Sequence, residues 1–232
     1  MRVLLFGASG MVGSGVLREC LLAPDVERVT SIGRSALPIE NAKLIQVNRP
    51  TFATNPLEIS DHDLRNVDAC FFCLGVSAAG MSEETYTALT FRLTLAVAER
   101  LARLNPQATF VYVSGAGADS SEQGSSMWAR VRGKTENALL RLPFKRVHVL
   151  RPAIIQPLNN AVSKTASYRI FYKVIGPLLT GGRKLFPSRI LSTEVIGLAM
   201  LQIARDGAPV PLLEVIDIYE VSQANGTPNQ LR

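Results

Sequence analysis

The sequence predicts an α/β fold in which helices cover both faces of a doubly wound parallel sheet. Short apolar segments alternate with longer segments of helical periodicity along most of the chain. A glycine-rich turn joins the first apolar segment to the first helical one. The segment 67–75 is a continuous apolar run, as expected for a strand covered on both faces.

The first part of the chain alternates in the order that a βαβ fold requires. We predict strands at 2–6, 26–33, 43–47 and 67–75, and helices at 11–22 and 82–104. Ser82 is the predicted N-cap of the second helix, and Asn105 with Pro106 ends it.

The second part continues this order and then becomes less regular. We predict strands at 109–115 and 146–152, with a helix at 125–142 between them. After Pro152, helices are predicted at 165–179 and 193–205, and a last strand at 213–218 closes the sheet.

Length and composition favour one domain. The 232 residues are 47% hydrophobic, so a sizeable core can be buried. We expect residues 1–220 to form this domain, with 153–205 as a small cover on the substrate side. Residues 221–232 are polar and rich in turn formers, which predicts a flexible tail. An uninterrupted apolar run of about 18 residues is missing, so no membrane span is expected.

The formal net charge of +6 is compatible with an anionic partner. The basic residues are scattered, however, and the densest groups lack the interleaved aromatic residues that stack on bases. We therefore expect a solvated surface with one anion site and disfavour nucleic acid as a partner.

Three cysteines without a secretory signal favour a reducing, cytoplasmic setting. Cys70 and Cys73 have a CxxC spacing, but they lie in a predicted strand, where these two positions face opposite sides. The chain has no second cysteine pair to complete a zinc site, so no metal is expected.

The stretch GASGMVG supplies a GxxGxxG pattern between the first strand and the first helix. Gly7 allows a tight turn, Gly10 lets the backbone approach a pyrophosphate, and Gly13 lets helix and strand pack closely. Ser9, Met11 and Val12 lie between these glycines, where N–H groups at the helix start attract phosphates. The alternative is that the glycines serve only the turn and the packing.

The glycine turn favours binding of a dinucleotide such as NAD(H) or NADP(H). The residue after the second strand selects between these two cofactors. An acidic residue there would bind ribose hydroxyls and repel a phosphate. This chain has Arg34 instead, whose planar guanidinium suits a 2′-phosphate. NADP(H) is therefore favoured over NAD(H), unless Arg34 is an ordinary exposed basic residue.

Four motifs occur in a fixed order: GASGMVG, FFCLG, FVYVSGAGA and LRPAIIQP. With them the chain resembles the short-chain dehydrogenase/reductase superfamily. More narrowly, it is similar to the atypical branch of NAD-dependent epimerase/dehydratase-like and Tat-interacting oxidoreductase-like proteins. The resemblance covers roughly residues 1–205 and implies a Rossmann-type sheet of about seven strands, with the cofactor across the strands' carboxyl ends.

The resemblance also implies roles for individual residues. Those after the fourth strand would line the adenosine and ribose: Leu74, Gly75 and Val76. Ser114 matches the active-site serine, and the segment that borders the nicotinamide matches Arg151, Pro152, Ala153 and Ile154. Alternatively, Ser114 bonds only the turn after its strand, and Pro152 ends a strand.

The superfamily's Tyr-x-x-x-Lys pair is missing from the sequence. In that pair the lysine lowers the tyrosine pKa and holds the ribose, and the tyrosine exchanges a proton with substrate. Aligning MWARVRGKTE by its glycine and glutamate puts Trp128 in the tyrosine place and Arg132 in the lysine place. Arg132 can still hold ribose or phosphate, whereas an indole is no practical acid. The alternative for Trp128 is an aromatic residue of the core or pocket wall.

A replacement acid could come from Tyr86, Tyr168 or Tyr172, although each is more commonly a half-buried aromatic residue. His62 and His148 are interpreted as structural. Two functions remain open: an NADP(H)-dependent oxidoreductase or epimerase-like enzyme with a non-standard proton donor, and a non-catalytic dinucleotide sensor. The sequence does not name the small-molecule ligand, and a homodimer is considered because the long helices pair in this superfamily.

Overall fold

The computed structural model describes residues 1–158 and 188–224. Its strands are β1 Arg2–Phe6, β2 Arg28–Gly33, β3 Leu44–Asn48, β4 Ala69–Phe72, β5 Thr109–Val113, β6 Arg146–Leu150, β7 Ile154–Gln156, β8 Ile190–Ser192 and β9 Leu212–Leu213. Its helices are α1 Met11–Leu22, α2 Asp61–Leu64, α3 Glu83–Thr87, α4 Leu93–Leu104, α5 Met127–Leu140, α6 Thr193–Asp206 and α7 Val215–Gln223. A π-helical turn, Ala88–Arg92, joins α3 to α4.

The main sheet has seven strands in the order β3-β2-β1-β4-β5-β6-β9, and every neighbouring pair is parallel. The chain starts in the middle at β1, moves outward to β3, then crosses back to β4 and moves outward to β9. Because this direction reverses between β1 and β4, a crevice opens there at the carboxyl ends of the strands. The predicted doubly wound fold of about seven strands is confirmed.

The core has two apolar layers, one on each face of the sheet. Leu5 and Phe71 pack with α1 and α6, whereas Leu4 and Phe72 pack with α4. Successive residues of a strand thus face opposite layers, as the pleat requires. Cys70 and Cys73 are divided in the same way between the two layers, as predicted from their spacing.

Helices α1 and α6 approach closely because glycines lie where they touch. A Cβ on Gly15 would lie 2.5 Å from the Cβ of Thr193, and one on Gly197 would lie 2.7 Å from Cγ of Glu19. The close contact fixes α1, and therefore the turn before it, against the sheet.

The predicted helix 82–104 is confirmed at both ends. The hydroxyl of Ser82 accepts a hydrogen bond from the N–H of Thr85, as an N-cap does. Asn105 ends the helix: its N–H donates to the carbonyl of Leu101, and its side chain accepts from the N–H of Val67. The π-helical turn inside this helix was not predicted.

The predicted strand 213–218 is largely wrong, because β9 ends at Leu213 and α7 begins at Val215. The physical reason is a capping box: Asp217 accepts from the N–H of Glu214, and the Glu214 carboxylate accepts from the third residue of the helix. Helix α7 also overlaps the start of the predicted tail 221–232, and residues 225–232 lie outside the described part of the chain.

Beyond β6, the chain forms a second, two-stranded sheet. Strands β7 and β8 pair in parallel, with Ile155 beside Leu191. The predicted helix 165–179 and most of the predicted cover 153–205 lie between these strands, outside the described residues. Over 1–158 and 188–224, none of the helices has the length and apolarity needed to cross a membrane.

Candidate functional site

The glycine turn after β1 has a geometry that other residues cannot adopt without strain. Gly7 has φ +83°, and a Cβ there would lie 2.6 Å from the carbonyl oxygen of Cys73. A Cβ on Gly13 would lie only 2.1 Å from the carbonyl oxygen of Gly7. The turn, the first turn of α1 and the end of β4 are therefore packed backbone to backbone.

The N-terminus of α1 is not capped by a side chain. Gly10 is the N-cap residue, and its N–H donates to the Gly7 carbonyl at 2.9 Å. The next N–H groups, from Met11 to Gly13, have no partner within an α-helix by its geometry. They carry the positive end of the helix dipole, which suits a phosphate.

A cavity of about 280 Å³ adjoins this turn. It is lined by residues 7–9, the end of β2 with residues 31–35, and Leu37, Phe52 and Leu74. The structure thus brings Gly7, Ser9, Arg34 and Leu74 to one place, although they are distant in the sequence. The cavity opens at the crevice between β1 and β4, where this class of sheet holds ligands.

Arg34 follows directly after β2 at the rim of this cavity. The residues that line the cavity include no aspartate or glutamate. Among the ion pairs of the described residues, none engages Arg34. An exposed guanidinium without a carboxylate partner is available to an anion.

Trp128, Arg132 and Glu136 are spaced by four along α5 and therefore share one face of the helix. The ring of Trp128 is half-buried against the loop that follows β5. A Cβ on Gly117 would lie 3.5 Å from its Cη2 atom. The indole can contact a flat ligand on its open side, but it cannot supply a proton as a phenol does.

Arg132 lies where β4 and β5 end. Its Nε donates to the hydroxyl of Tyr86 at 3.1 Å, and its Nη1 donates to the carbonyl of Val113 at 3.3 Å. Its Nη2 is 3.4 Å from where a Cβ on Gly75 would be. Tyr86 is fully buried, so its phenol holds the guanidinium instead of facing a substrate.

The buried Tyr112 is no better placed to supply a proton. Its side chain is 1% exposed, and burial raises the pKa of its phenol, although the charge of nearby Arg132 acts in the opposite direction. The other two candidates, Tyr168 and Tyr172, lie outside the described residues.

The hydroxyl of Ser114 donates to the carboxylate of Glu136, which is fully buried. Arg151 binds the same carboxylate through Nε, at 3.2 Å from Oε1 and 3.1 Å from Oε2. Arg151 also reaches Glu214 at 3.1 Å and Ser120 at 2.6 Å. The proton of Ser114 is therefore held by a buried ion-pair network, not directed at a substrate carbonyl.

The residue after Ser114 is Gly115. Within 1–158 and 188–224, no atom lies within 4 Å of where a Cβ on Gly115 would be. The N–H of Ala116 donates to the carbonyl of Pro152 at 2.9 Å, which joins the loop after β5 to the segment after β6. Val76 and Ile154, both exposed apolar residues, lie just after β4 and at the start of β7.

Sequence reasoning missed Glu136, although a signal was present. It is the third member of the series Trp128, Arg132, Glu136 on one helix face, and Arg151 of the LRP motif offered it a partner. Of the other predicted residues, Pro152 contacts the loop after β5 through its carbonyl, and Ile154 begins β7. Their position beside a nicotinamide stays a prediction.

No family model matches the chain. Over 179 residues it is 31% identical to the mitochondrial protein fmp52-1 of Aspergillus terreus, an alignment that covers 72% of this chain and 75% of the relative. The chain belongs to the FMP52 family. Protein HTATIP2 of Rattus norvegicus is 29% identical over 153 residues, covering 66% of this chain and 62% of that one.

The chain thus spans about two thirds of the length of the curated relatives that it matches. Its place in the atypical branch of the short-chain dehydrogenase/reductase superfamily is confirmed. The prediction of a cytoplasmic location is wrong on this comparison, because FMP52 relatives are named mitochondrial. Unpaired cysteines indicate reducing surroundings and do not identify a compartment.

Solved structures share the fold of this FMP52-family chain. The reductase domain of PhqB from Penicillium fellutanum has a TM-score of 0.66 at 16% identity, over 92% of this chain and 66% of that one. The enzyme WbmF of Bordetella bronchiseptica, in complex with NAD+, has a TM-score of 0.63 at 14% identity, over 99% and 80%. UDP-glucuronic acid 4-epimerase of Bacillus cereus, in complex with NAD, has a TM-score of 0.64 at 11% identity, over 93% and 76%. The fold is therefore the Rossmann type that these structures share.

Proposed function

We propose that this chain is an NADP(H)-binding protein that responds to the dinucleotide. The observation that carries the proposal is the cavity between the glycine turn and Arg34. It would take the adenosine, with the pyrophosphate at the start of α1 and the 2′-phosphate on Arg34. WbmF and the Bacillus cereus epimerase share this fold and bind NAD, which supports the same placement here.

Binding is better supported than hydride chemistry. The Ser114 hydroxyl is bonded to Glu136, Trp128 stands at the tyrosine position, and Tyr86 is fully buried. Among the described residues, no exposed phenol or imidazole faces the end of the crevice near Arg132. A reduction or oxidation needs a partner for proton transfer, so these features favour a dinucleotide sensor.

An NADP(H)-dependent reductase or epimerase-like enzyme is the second candidate. Arg132 favours it, because a cation remains at the position where the superfamily has its lysine. Such an enzyme would need a non-standard proton donor, and Tyr168 and Tyr172 stay predictions for that role. Steady turnover of any aldehyde, ketone or alcohol with NADP(H), lost on Arg132→Gln with the fold intact, would decide for this candidate.

The first experiment titrates the protein with NADPH and then NADH. Trp128 is the only tryptophan, so its emission reports on α5 alone. We expect quenching and energy transfer to the reduced nicotinamide, with NADPH binding more tightly. Calorimetry provides a second measurement of binding. If neither method detects a nucleotide, the proposal is overturned.

Arg34→Ala tests the choice of cofactor. A charge-assisted hydrogen bond contributes about 1.5–3 kcal/mol, so NADPH affinity should fall roughly tenfold to a hundredfold. NADH affinity should barely change, because NADH has no 2′-phosphate. Arg28→Ala, at the opposite end of β2, is the matched control and should affect neither nucleotide. Equal losses for NADPH and NADH in Arg34→Ala would refute the 2′-phosphate contact.

A further inference from the structure

Arg132 is a half-buried cation without a direct ion pair among the described residues. Burial lowers the pKa of its guanidinium, but the phenols of Tyr112 and Tyr86 and the charge of Glu136 raise it overall. Glu136, one helical turn away, is itself bonded directly to Ser114 and Arg151. An anionic ligand at this place would form the direct charge-assisted bonds with Arg132 that Glu136 does not.

The guanidinium also keeps hydrogen-bonding capacity. Of its five N–H donors, Tyr86 and Val113 accept two, which leaves three. Two of those are on Nη2, beside Gly75. A planar guanidinium fixed by two contacts presents its remaining donors in a constant direction, as bidentate binding of an oxyanion requires.

Two glycines keep the described surface near the ends of β4 and β5 free of side chains. Nη2 of Arg132 lies 3.4 Å from where a Cβ on Gly75 would be, and no atom of the described residues lies within 4 Å of where a Cβ on Gly115 would be. Trp128 lies on the same helix face as Arg132, and its ring is half-buried. The exposed side chains of Val76 and Ile154 add apolar surface near these strand ends.

We propose that Arg132 and Trp128 form a subsite for an organic carboxylate with a planar body. The carboxylate would accept the free N–H groups of Arg132, and the planar body would lie on the indole. Tyr86 is the positioning residue, because its hydroxyl holds the guanidinium in place. The inference deepens the proposed function: the carboxylate would bind beside the nicotinamide end of a bound dinucleotide.

The test uses benzoate as the probe, with benzamide as its neutral analogue and inorganic phosphate as a simple anion. Each is titrated against the protein with and without saturating NADP+, by Trp128 emission and calorimetry. We expect benzoate to bind at least about tenfold more tightly than benzamide, as one charge-assisted pair implies. Phosphate should bind more weakly than benzoate, because it has no planar body for the indole.

Variants separate this subsite from a general change in structure. Arg132→Gln should remove the preference for benzoate over benzamide, and Arg132→Lys should keep part of it. Tyr86→Phe should weaken benzoate several-fold and leave benzamide unchanged, since only the position of the cation is altered. Circular dichroism and thermal unfolding check that each variant is folded, and Arg130→Lys, on the adjacent turn of α5, is the matched control.

Each outcome decides the proposal. A benzoate preference in the presence of NADP+ that depends on Arg132 supports it. Equal affinities for benzoate and benzamide, or no binding of either under both conditions, overturn it even where NADP+ binds normally. If benzoate binds only without NADP+, the dinucleotide itself occupies Arg132. That result would overturn the proposed complex in which both ligands bind together. Phosphate binding as tight as benzoate would overturn the planar ligand. The NADP+ isotherm is measured separately, so its failure counts against the proposed function alone.

Discussion

At the scale of single residues, the glycines of the first turn differ in what they require. A Cβ on Gly13 would lie 2.1 Å from the carbonyl oxygen of Gly7, a distance that real side chains do not reach. A Cβ on Gly10 would lie 3.3 Å from the same oxygen, which a small displacement relieves. The same motif therefore contains one position fixed by packing and one that is open toward a ligand.

Gly13→Ala should lower the free energy of unfolding by about 1–3 kcal/mol, because α1 must move away from the turn. NADPH binding should fall with it, since the N–H groups of α1 would no longer point at the pyrophosphate. Gly10→Ala is the matched control, with a smaller loss of stability. Chemical denaturation and NADPH titration measure both effects, and equal stability of the two variants would contradict this account.

The residue scale also shows why part of the site could be predicted and part could not. The glycine turn and Arg34 follow from position in the chain, because each comes directly after a predicted strand. The spacing of α5 identifies the helix face of Glu136, but its contact with Ser114, 22 residues away, forms only once α5 packs on β5. Side-chain direction at the end of a strand depends on tertiary packing, which motif spacing does not encode.

At the scale of elements, one side chain organises the backbone in the middle of the loop between β5 and α5. The carboxylate of Asp119 accepts hydrogen bonds from the backbone of Ser121, Gln123 and Gly124 and from the Ser121 hydroxyl. These bonds, that of the Ser121 hydroxyl foremost, lower the pKa of Asp119. The loop rests on α5 at Gly133, and it carries the glycine against which Trp128 lies.

Gly133→Ala should displace this loop, because its Cβ would lie 1.7 Å from the carbonyl oxygen of Asp119. We expect a shifted emission maximum of Trp128 and a loss of about 1–3 kcal/mol in unfolding free energy. Gly115→Ala is the matched control for stability, since its Cβ would meet no neighbour in the described part of the chain. An unchanged emission spectrum and unchanged stability in Gly133→Ala would refute the contact.

Helices and strands could be predicted from the sequence where the hydrophobic periodicity agrees with the residues that start and end the element. Helix α1 matches the predicted 11–22, and Ser82 and Asn105 bound the long helix as predicted. The prediction for VIDIY, the segment after Glu214, was wrong because its β-branched residues favour a strand. The capping pair of Glu214 and Asp217 outweighs that preference and starts a helix.

At the scale of the whole molecule, pH should act on stability through His148 in the central sheet. Its side chain is buried, and this burial lowers the pKa of the imidazole, although a hydrogen bond with the Val210 carbonyl at 3.1 Å opposes the shift. The unfolded chain therefore binds a proton near pH 6.5 that the folded chain does not. Stability from neutral His148 is present above about pH 6.5 and is lost as pH falls through the lower folded pKa.

We expect the unfolding free energy to fall as the pH drops below about 6.5. His148→Gln should flatten the curve in this window, and His62→Gln, on the surface, is the matched control. Urea denaturation at a series of pH values measures the slope. A second decline should follow near pH 4, because Arg205 lowers the pKa of Asp25 and Arg2 lowers that of Asp68. A flat curve for the unaltered protein between pH 7 and pH 5 would exclude the His148 effect.

The pairing of β7 with β8 has a consequence for protein engineering. The parallel ladder pairs Ile154 with Ile190 and Gln156 with Ser192, so the chain leaves β7 at one end of the ladder and re-enters β8 at the other. The entropic cost of closing a loop rises only slowly with its length. A connection that replaces the one between Gln156 and Ile190 must span the ladder from end to end. A foreign sequence long enough to do so should therefore be accepted without disturbing the main sheet.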